Sequence, residues 1–467
     1  MGAIATMAAA ALLAVTPGGD YQAALADIGK QPEQLRSQTR YVSYRNLRGP
    51  DVVLARRLTD YHLNAMAALQ TGGLAKVQPA GGNLARVTLG LYAPTPEALA
   101  RWHTAWEGLA AANYSSHFAT QAISTADDGS QTLEVSQVRG GWLPAQTAEG
   151  LELASTSAVA VVEFEAFLAQ VMTPAVYYQW TGAGDRDATL ALLGVQPELI
   201  ASLRAGHAAT IRSSDVALGK PRRVHEWRGL FGGAWFTDDV DELTAATDYV
   251  RHPLAKLSTT AGEEVLTVAT TANEWVLVGR NGLPVFLITT AAGERLDEVD
   301  PRVARDYSEP HARFNGLITA PLGCIRCHAL SGFQPISDYQ QTLQDRGQVA
   351  DSPATAARIA EIYRWDLLAR QLEYDGQTVE TATRSASGLS WAEVSHGTGR
   401  LWRDYVLDPV SLERAALELG TSQQRATEVL GLLSDPWARA LAHGETVPRE
   451  AWVTIFPQAM IQAAASQ

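Results

Sequence analysis

The chain has 467 residues, 46% of them hydrophobic and 19% charged, which excludes a disordered chain and allows either two or three domains or one large domain with additions. Its 37 Lys and Arg stand against 50 Asp and Glu, a net charge of −13 that argues against nucleic acid as a partner.

In chain order, residues 3–15 form an uncharged apolar stretch of signal-peptide length, too short for a membrane span, which needs about 20 residues. Ala24-Leu25-Ala26 offers an A-x-A cleavage site, so 1–26 reads as a signal peptide and the mature protein as periplasmic or extracellular. No later run is long and apolar enough to predict a membrane span. After Pro50-Asp51, the positions Leu54, Leu58, Tyr61, Ala65 and Leu69 fall on one helical face. The alternation in 86–92 predicts a half-buried strand, and Trp102 and Trp106 lie four apart on the helix that follows. Residues 157–172 read as a nearly all-apolar helix stopped by Pro174, and 188–207 as two short helices around Pro197. From Arg222 the pattern turns to β, and Asn281-Gly282 between two apolar runs predicts a hairpin, with a second turn in TTAAGERLDEV. Ser352-Pro353 opens a helix whose stripe is Ile359, Ile362, Trp365, Leu368 and Leu372. Asp408-Pro409 starts another that Gly420 ends, and Thr421-x-x-Gln424 reads as a capping box. The fold class is therefore α+β: a body over 27–300, an attachment segment over 301–345 that lies in a loop, and a helical region over 346–467.

Both cysteines of the chain lie in PLGCIRCHAL. C-x-x-C-H meets the needs of haem c: two thiols spaced for the two vinyl groups, and a histidine next in line to sit beneath the iron. Cys324 and Cys327 are then the thioether residues, and His328 is the proximal ligand. A structural zinc site needs four ligands, and no H-x₃₋₅-H follows. A thioredoxin-like dithiol opens a helix inside a βαβ unit, which NGLITAPLG does not suggest. Arg326, between the cysteines, is either a propionate neighbour or solvated surface.

The sixth iron ligand is not evident. The five methionines are Met1, Met7, Met66, Met172 and Met460, and none lies where a small cytochrome c carries its second ligand. Met460 also reads as core packing. Among the histidines, His311 lies in SEPHARF, His396 in an apparent loop, SHGTG, and His225 on a predicted strand, PRRVHEWRG.

Several stretches together, among them RYVSYRNLRG, TPAVYYQWTG, RAGHAATIRSSDVALGKPRRVHEW and VGRNGLPVFLITTAAGERLDEV, resemble a family of exported bacterial proteins that carry one CxxCH motif after an α+β body. The positions that match are Asn281, Gly282, Leu283, Gly293, Arg295, Leu296, Asp297 and Glu298, with His225 and Glu226 matching a shorter R-H-E-like element. One departure is that LITAPLG separates Asn315-Gly316 from Cys324. The resemblance implies a c-type cytochrome and makes His225 the first choice for a distal-side ligand or hydrogen-bond donor.

These readings predict one covalent haem c and one-electron exchange with a redox partner protein. A five-coordinate haem protein with peroxidase-like or gas-binding activity is the alternative, and a partner-binding body with incidental haem is a third. The chain has no P-loop, G-x-S-x-G or H-E-x-x-H.

Overall fold

A computed structural model describes residues 19–109, 123–125, 131–133, 145–195, 207–211, 220–242, 244, 250, 253–254, 271–306, 316–329, 332–333 and 352–465. The N-terminal part comprises α1 (Gly19–Ile28), α2 (Glu33–Arg36), β1 (Thr39–Ser43), α3 (Pro50–Met66), β2 (Gln78–Pro79), β3 (Leu84–Thr88), α4 (Pro96–Glu107), β4 (Ile123–Thr125), β5 (Gln131–Leu133), α5 (Ala145–Ser155), β6 (Val161–Glu163), α6 (Phe164–Val171), α7 (Pro174–Thr181) and α8 (Arg186–Leu192). Five long strands and a short one follow: β7 (His207–Ile211), β8 (Arg222–Arg228), β9 (Gly233–Asp238), β10 (Ala272–Val278), β11 (Pro284–Thr290) and β12 (Arg295–Leu296). The remainder is helical: α9 (Leu322–Cys327), α10 (Pro353–Ile362), α11 (Trp365–Ser387), α12 (Trp391–Val406), α13 (Leu412–Glu418), α14 (Gln423–Gly431), α15 (Pro436–Ala442) and α16 (Arg449–Ala465). The α+β class is as predicted, and no described helix is long and apolar enough to cross a membrane.

β7 to β12 form one antiparallel meander in the order β12-β11-β10-β9-β8-β7. Its central hairpin turns at Gly279–Leu283, where Gly282 takes φ 82°, a left-handed value that favours glycine. A smaller sheet, β2-β3-β1-β6, pairs β1 antiparallel to β3 and parallel to β6. That parallel pairing corrects one expectation: Val161–Glu163 is strand, and only Phe164–Val171 is helix. The β-branched pair Val161-Val162 suits a buried strand. Pro174, expected as a stop, is the first residue of α7, where its missing N–H costs nothing.

Most local helix signals hold. Ser352 caps α10, accepting from Thr355 N at 3.1 Å. α13 is capped by Ser411 rather than starting at Asp408-Pro409, and Ser422, not Thr421, caps α14. Trp102 and Trp106 are both buried, with Trp180 packed against them at ring distances of 4.8 and 5.7 Å. Such aromatic pairs add about 0.5–1.5 kcal/mol each beyond the area they bury.

One continuous core runs from Val42 to Tyr405 and includes Ile325 and Phe333 of the motif segment. A second core, from Val410 to Ala463, belongs to α13–α16. The cores therefore divide near residue 410, with α11 and α12 packed on the body. A buried polar seam joins the two. Arg414 lies 2.6 Å from both Glu165 and Glu418, and Glu418 also takes Arg449 at 2.6 Å and the Trp452 indole at 2.7 Å.

The candidate cleavage site Ala24-Leu25-Ala26 lies inside α1. Ala24 and Ile28 are buried against Tyr41, Leu84 and Leu151. Asp20 accepts from the Ser43 hydroxyl, and Asp27 takes Tyr41 Oη and Arg86 Nη1, both at 2.9 Å. Cutting after Ala26 would remove most of a helix that closes the smaller sheet. A chain beginning at Asp27 should therefore unfold at lower urea than one beginning at Gly19, by roughly 2 kcal/mol from the lost burial and hydrogen bonds. Equal midpoints would show that α1 contributes nothing to the fold.

Candidate functional site

The motif lies on α9, not in a loop. Its approach is set by the GERLDEV stretch: Val299 N donates to Ile318 O at 2.9 Å, and Glu298 bridges to Thr319. Pro321 then starts six helical residues, and His328 N closes the last turn on Cys324 O at 2.9 Å. Cys324 and Cys327 are three apart on that helix and so share one face. Both thiols are unbridged and half-buried.

The sheet face beneath α9 follows from the register. Phe286 and Trp235 both oppose Val276, and Glu274 lies two residues along β10, so all four side chains share a face. The His328 ring lies 6.0 Å from Phe286, and Phe333 lies 5.8 Å from Trp235. His328 therefore lies over this face at β11, and Phe333 over it at β9. From the other side α12 presents Trp391, whose indole donates to His328 O at 2.5 Å, and Ser395, whose hydroxyl donates to Ile325 O at 2.9 Å. Sequence reasoning missed both residues. The available signal was their i, i+4 spacing on an amphipathic helix.

The electrostatics are set first by burial. Burial, then Glu274 and Cys327, push the Cys324 thiol well above its ordinary range. Burial, Glu274 and Asp306 push Cys327 up to about 12, against Arg326 and Arg222. Burial lowers His328 to about 4, with Glu274 and the Gly332 main chain pulling the other way. At neutral pH the site thus holds two protonated thiols and a neutral imidazole. A redox dithiol needs the opposite, a lowered thiol pKa. Arg326 forms an ion pair with Asp306 at 2.6 Å.

Alternation places the distal candidates elsewhere. His225 opposes Phe236, which opposes Trp275, so these three occupy the sheet face turned away from the motif. His225 stacks on Phe236 at 4.7 Å, and its Nε2 is 2.9 Å from Asp238 Oδ2. Burial alone would raise Asp238, but His225 and Arg223 outweigh it and hold the carboxyl well below its usual range. His225 is thus part of a structural charge cluster on the far face and is not brought to His328. Its neighbour Glu226 does point to the motif face, 2.7 Å from Arg228. Burial pushes Glu226 up to about 7, with Arg228 opposing and Asp375 adding to the rise. His396 is exposed on α12 rather than in a loop. Met460 belongs to the separate C-terminal core, so its role is packing. His311 lies outside the described residues.

Of the sequence-derived set, Cys324, Cys327 and His328 are brought together, and His225, His396 and Met460 are not brought to them. Among the described residues no cluster of three or more His, Cys, Asp or Glu is arranged to hold a bare metal ion. The three motif residues nevertheless suit a covalently attached haem: two thiols on one face that are not joined in a disulfide, and an imidazole directly after the second. No protein family, curated protein or solved structure matches this chain.

The platform under α12 includes a buried imidazole. His62 on α3 contacts Thr398 Oγ1 at 3.0 Å, and burial lowers it to about 3. The unfolded chain, with His near 6.5, binds the proton that the fold refuses, so His62 makes stability fall as pH drops from about 6.5 to 3. The slope is about 1.4 kcal/mol per pH unit. His62→Gln should remove that one-proton slope from urea midpoints measured across the window, while an unchanged slope would mean His62 is solvated.

Proposed function

We propose that Cys324, Cys327 and His328 form a haem c attachment site, and that the protein is an exported monohaem c-type cytochrome working in one-electron transfer with a redox partner protein. One observation carries the reading: two unbridged thiols on one face of a helical turn, followed directly by a half-buried imidazole whose pKa is lowered. Bound there, haem supplies an iron that cycles between ferric and ferrous states.

The chain's own residues do the rest. Cys324 and Cys327 tether, and His328 offers a ring nitrogen as proximal ligand. Phe286 packs beside the imidazole at 6.0 Å, and Trp391 beside Phe286 at 6.3 Å. Glu274, paired with Arg222 at 3.0 Å, places a carboxylate–guanidinium pair beside both cysteines and His328. A net charge of −13 suits a partner with a basic docking face.

The alternative reading, a five-coordinate haem protein with peroxidase-like or gas-binding activity, is supported by one observation. His225, His396 and Met460 all lie away from His328.

Protein matured with haem-attachment machinery should give a pyridine haemochrome spectrum and the mass of one added haem, both lost in a Cys324→Ala/Cys327→Ala variant. Colourless protein of unmodified mass would refute attachment. A low-spin ferric spectrum supports electron transfer, and a high-spin spectrum that shifts with cyanide supports the alternative.

A further inference from the structure

A six-residue helix cannot pair its own last carbonyls, which must find donors elsewhere. In α9 two of them, Ile325 O and His328 O, are taken by Ser395 Oγ at 2.9 Å and Trp391 Nε1 at 2.5 Å. The two donors are one turn apart on a single face of α12. We propose that Trp391 and Ser395 are positioning residues for His328, so that α12, and not α9 itself, sets the direction of the imidazole.

The platform is built to hold a position. Ser390 and Glu393 form a reciprocal capping box at the start of α12, and Trp391 N donates to Glu380 Oε2 of α11 at 2.8 Å. Further along, Thr398 meets His62 of α3, and Arg400 pairs with Asp51 at 2.5 Å. Gly397 lets α12 approach closely, since a Cβ there would lie 3.1 Å from Leu54 Cδ1. α12 is thus tied to α3 and α11 before it touches the motif. The Trp391 indole is almost fully buried, edge-on to Tyr61 at 6.1 Å, and Phe286 lies 6.3 Å from it and 6.0 Å from the His328 ring. A ligand's orientation depends on such supporting contacts as much as on the ligand itself.

The functional consequence rests on the haem reading, but the geometry does not. In the haem-free full chain, the His328 imidazole resonance, identified by its loss in His328→Gln, should move in Ser395→Ala and return in Ser395→Thr. In haem-bearing protein, Trp391→Phe and Ser395→Ala should retain full haem content. Their ferric-to-ferrous equilibrium should shift by about threefold or more, the scale of one lost hydrogen bond, with altered low-spin paramagnetic resonance. An unmoved resonance in Ser395→Ala overturns the proposal, as does an unmoved equilibrium in both haem-bearing variants. If the wild-type chain takes up no haem, the haem reading fails while the resonance still decides the positioning.

Discussion

The site depends on how a very short helix is held. α9 has six residues, includes Gly323, and is preceded by Pro321, so its own propensity is poor. It keeps its shape because it is fixed at three places. The 297–299 segment pairs with 318–320 ahead of it, the meander face lies beneath it, and α12 donates to the carbonyls at its end. With that turn held, the two thiols share a side and the imidazole follows them directly. Without the clamp the same pentapeptide is a flexible loop with the right letters and no defined direction.

The meander separates two kinds of polar chemistry. Its motif face carries Glu274 and Arg222, 3.0 Å apart, with Arg222 also 2.6 Å from Asp239. The far face carries Arg223, His225 and Asp238. Both clusters are largely buried, and each cation has a carboxylate within hydrogen-bond range. Breaking such a pair leaves an uncompensated buried charge. The strand RRVHEWR is buried along nearly its whole length; on one side Arg228 pairs with Asp375 of α11, and on the other Arg223 Nη1 donates to Pro253 O.

That double burial explains what the sequence could and could not tell. Local signals were legible: the stripe on α3, the Asn281-Gly282 turn, the Ser352 cap and the CIRCH spacing each depend on neighbours within a few residues. What depended on distant pairing was not. Val161–Glu163 became strand through parallel pairing with β1. His225 could not be assigned to a face, because β8 has no apolar-polar alternation to read. SHGTG looked like a loop for its glycines, yet Gly397 is the small residue that lets α12 lie against Leu54 and Leu58. Trp391 and Ser395 became visible only once their carbonyl partners did. Of the four distal candidates, His225 was offered through the resemblance and His311, His396 and Met460 on residue type; His225 is accounted for by its carboxylate and Met460 by its core.

The most direct measurement is diffraction from crystals of the matured protein at the iron absorption edge. The account predicts one anomalous peak at ligand distance from a His328 ring nitrogen, with density continuous from the porphyrin to the Sγ atoms of Cys324 and Cys327. It also predicts that the Trp391 indole is still hydrogen-bonded to His328 O. No iron peak, with both thiols free or joined to each other, would contradict it.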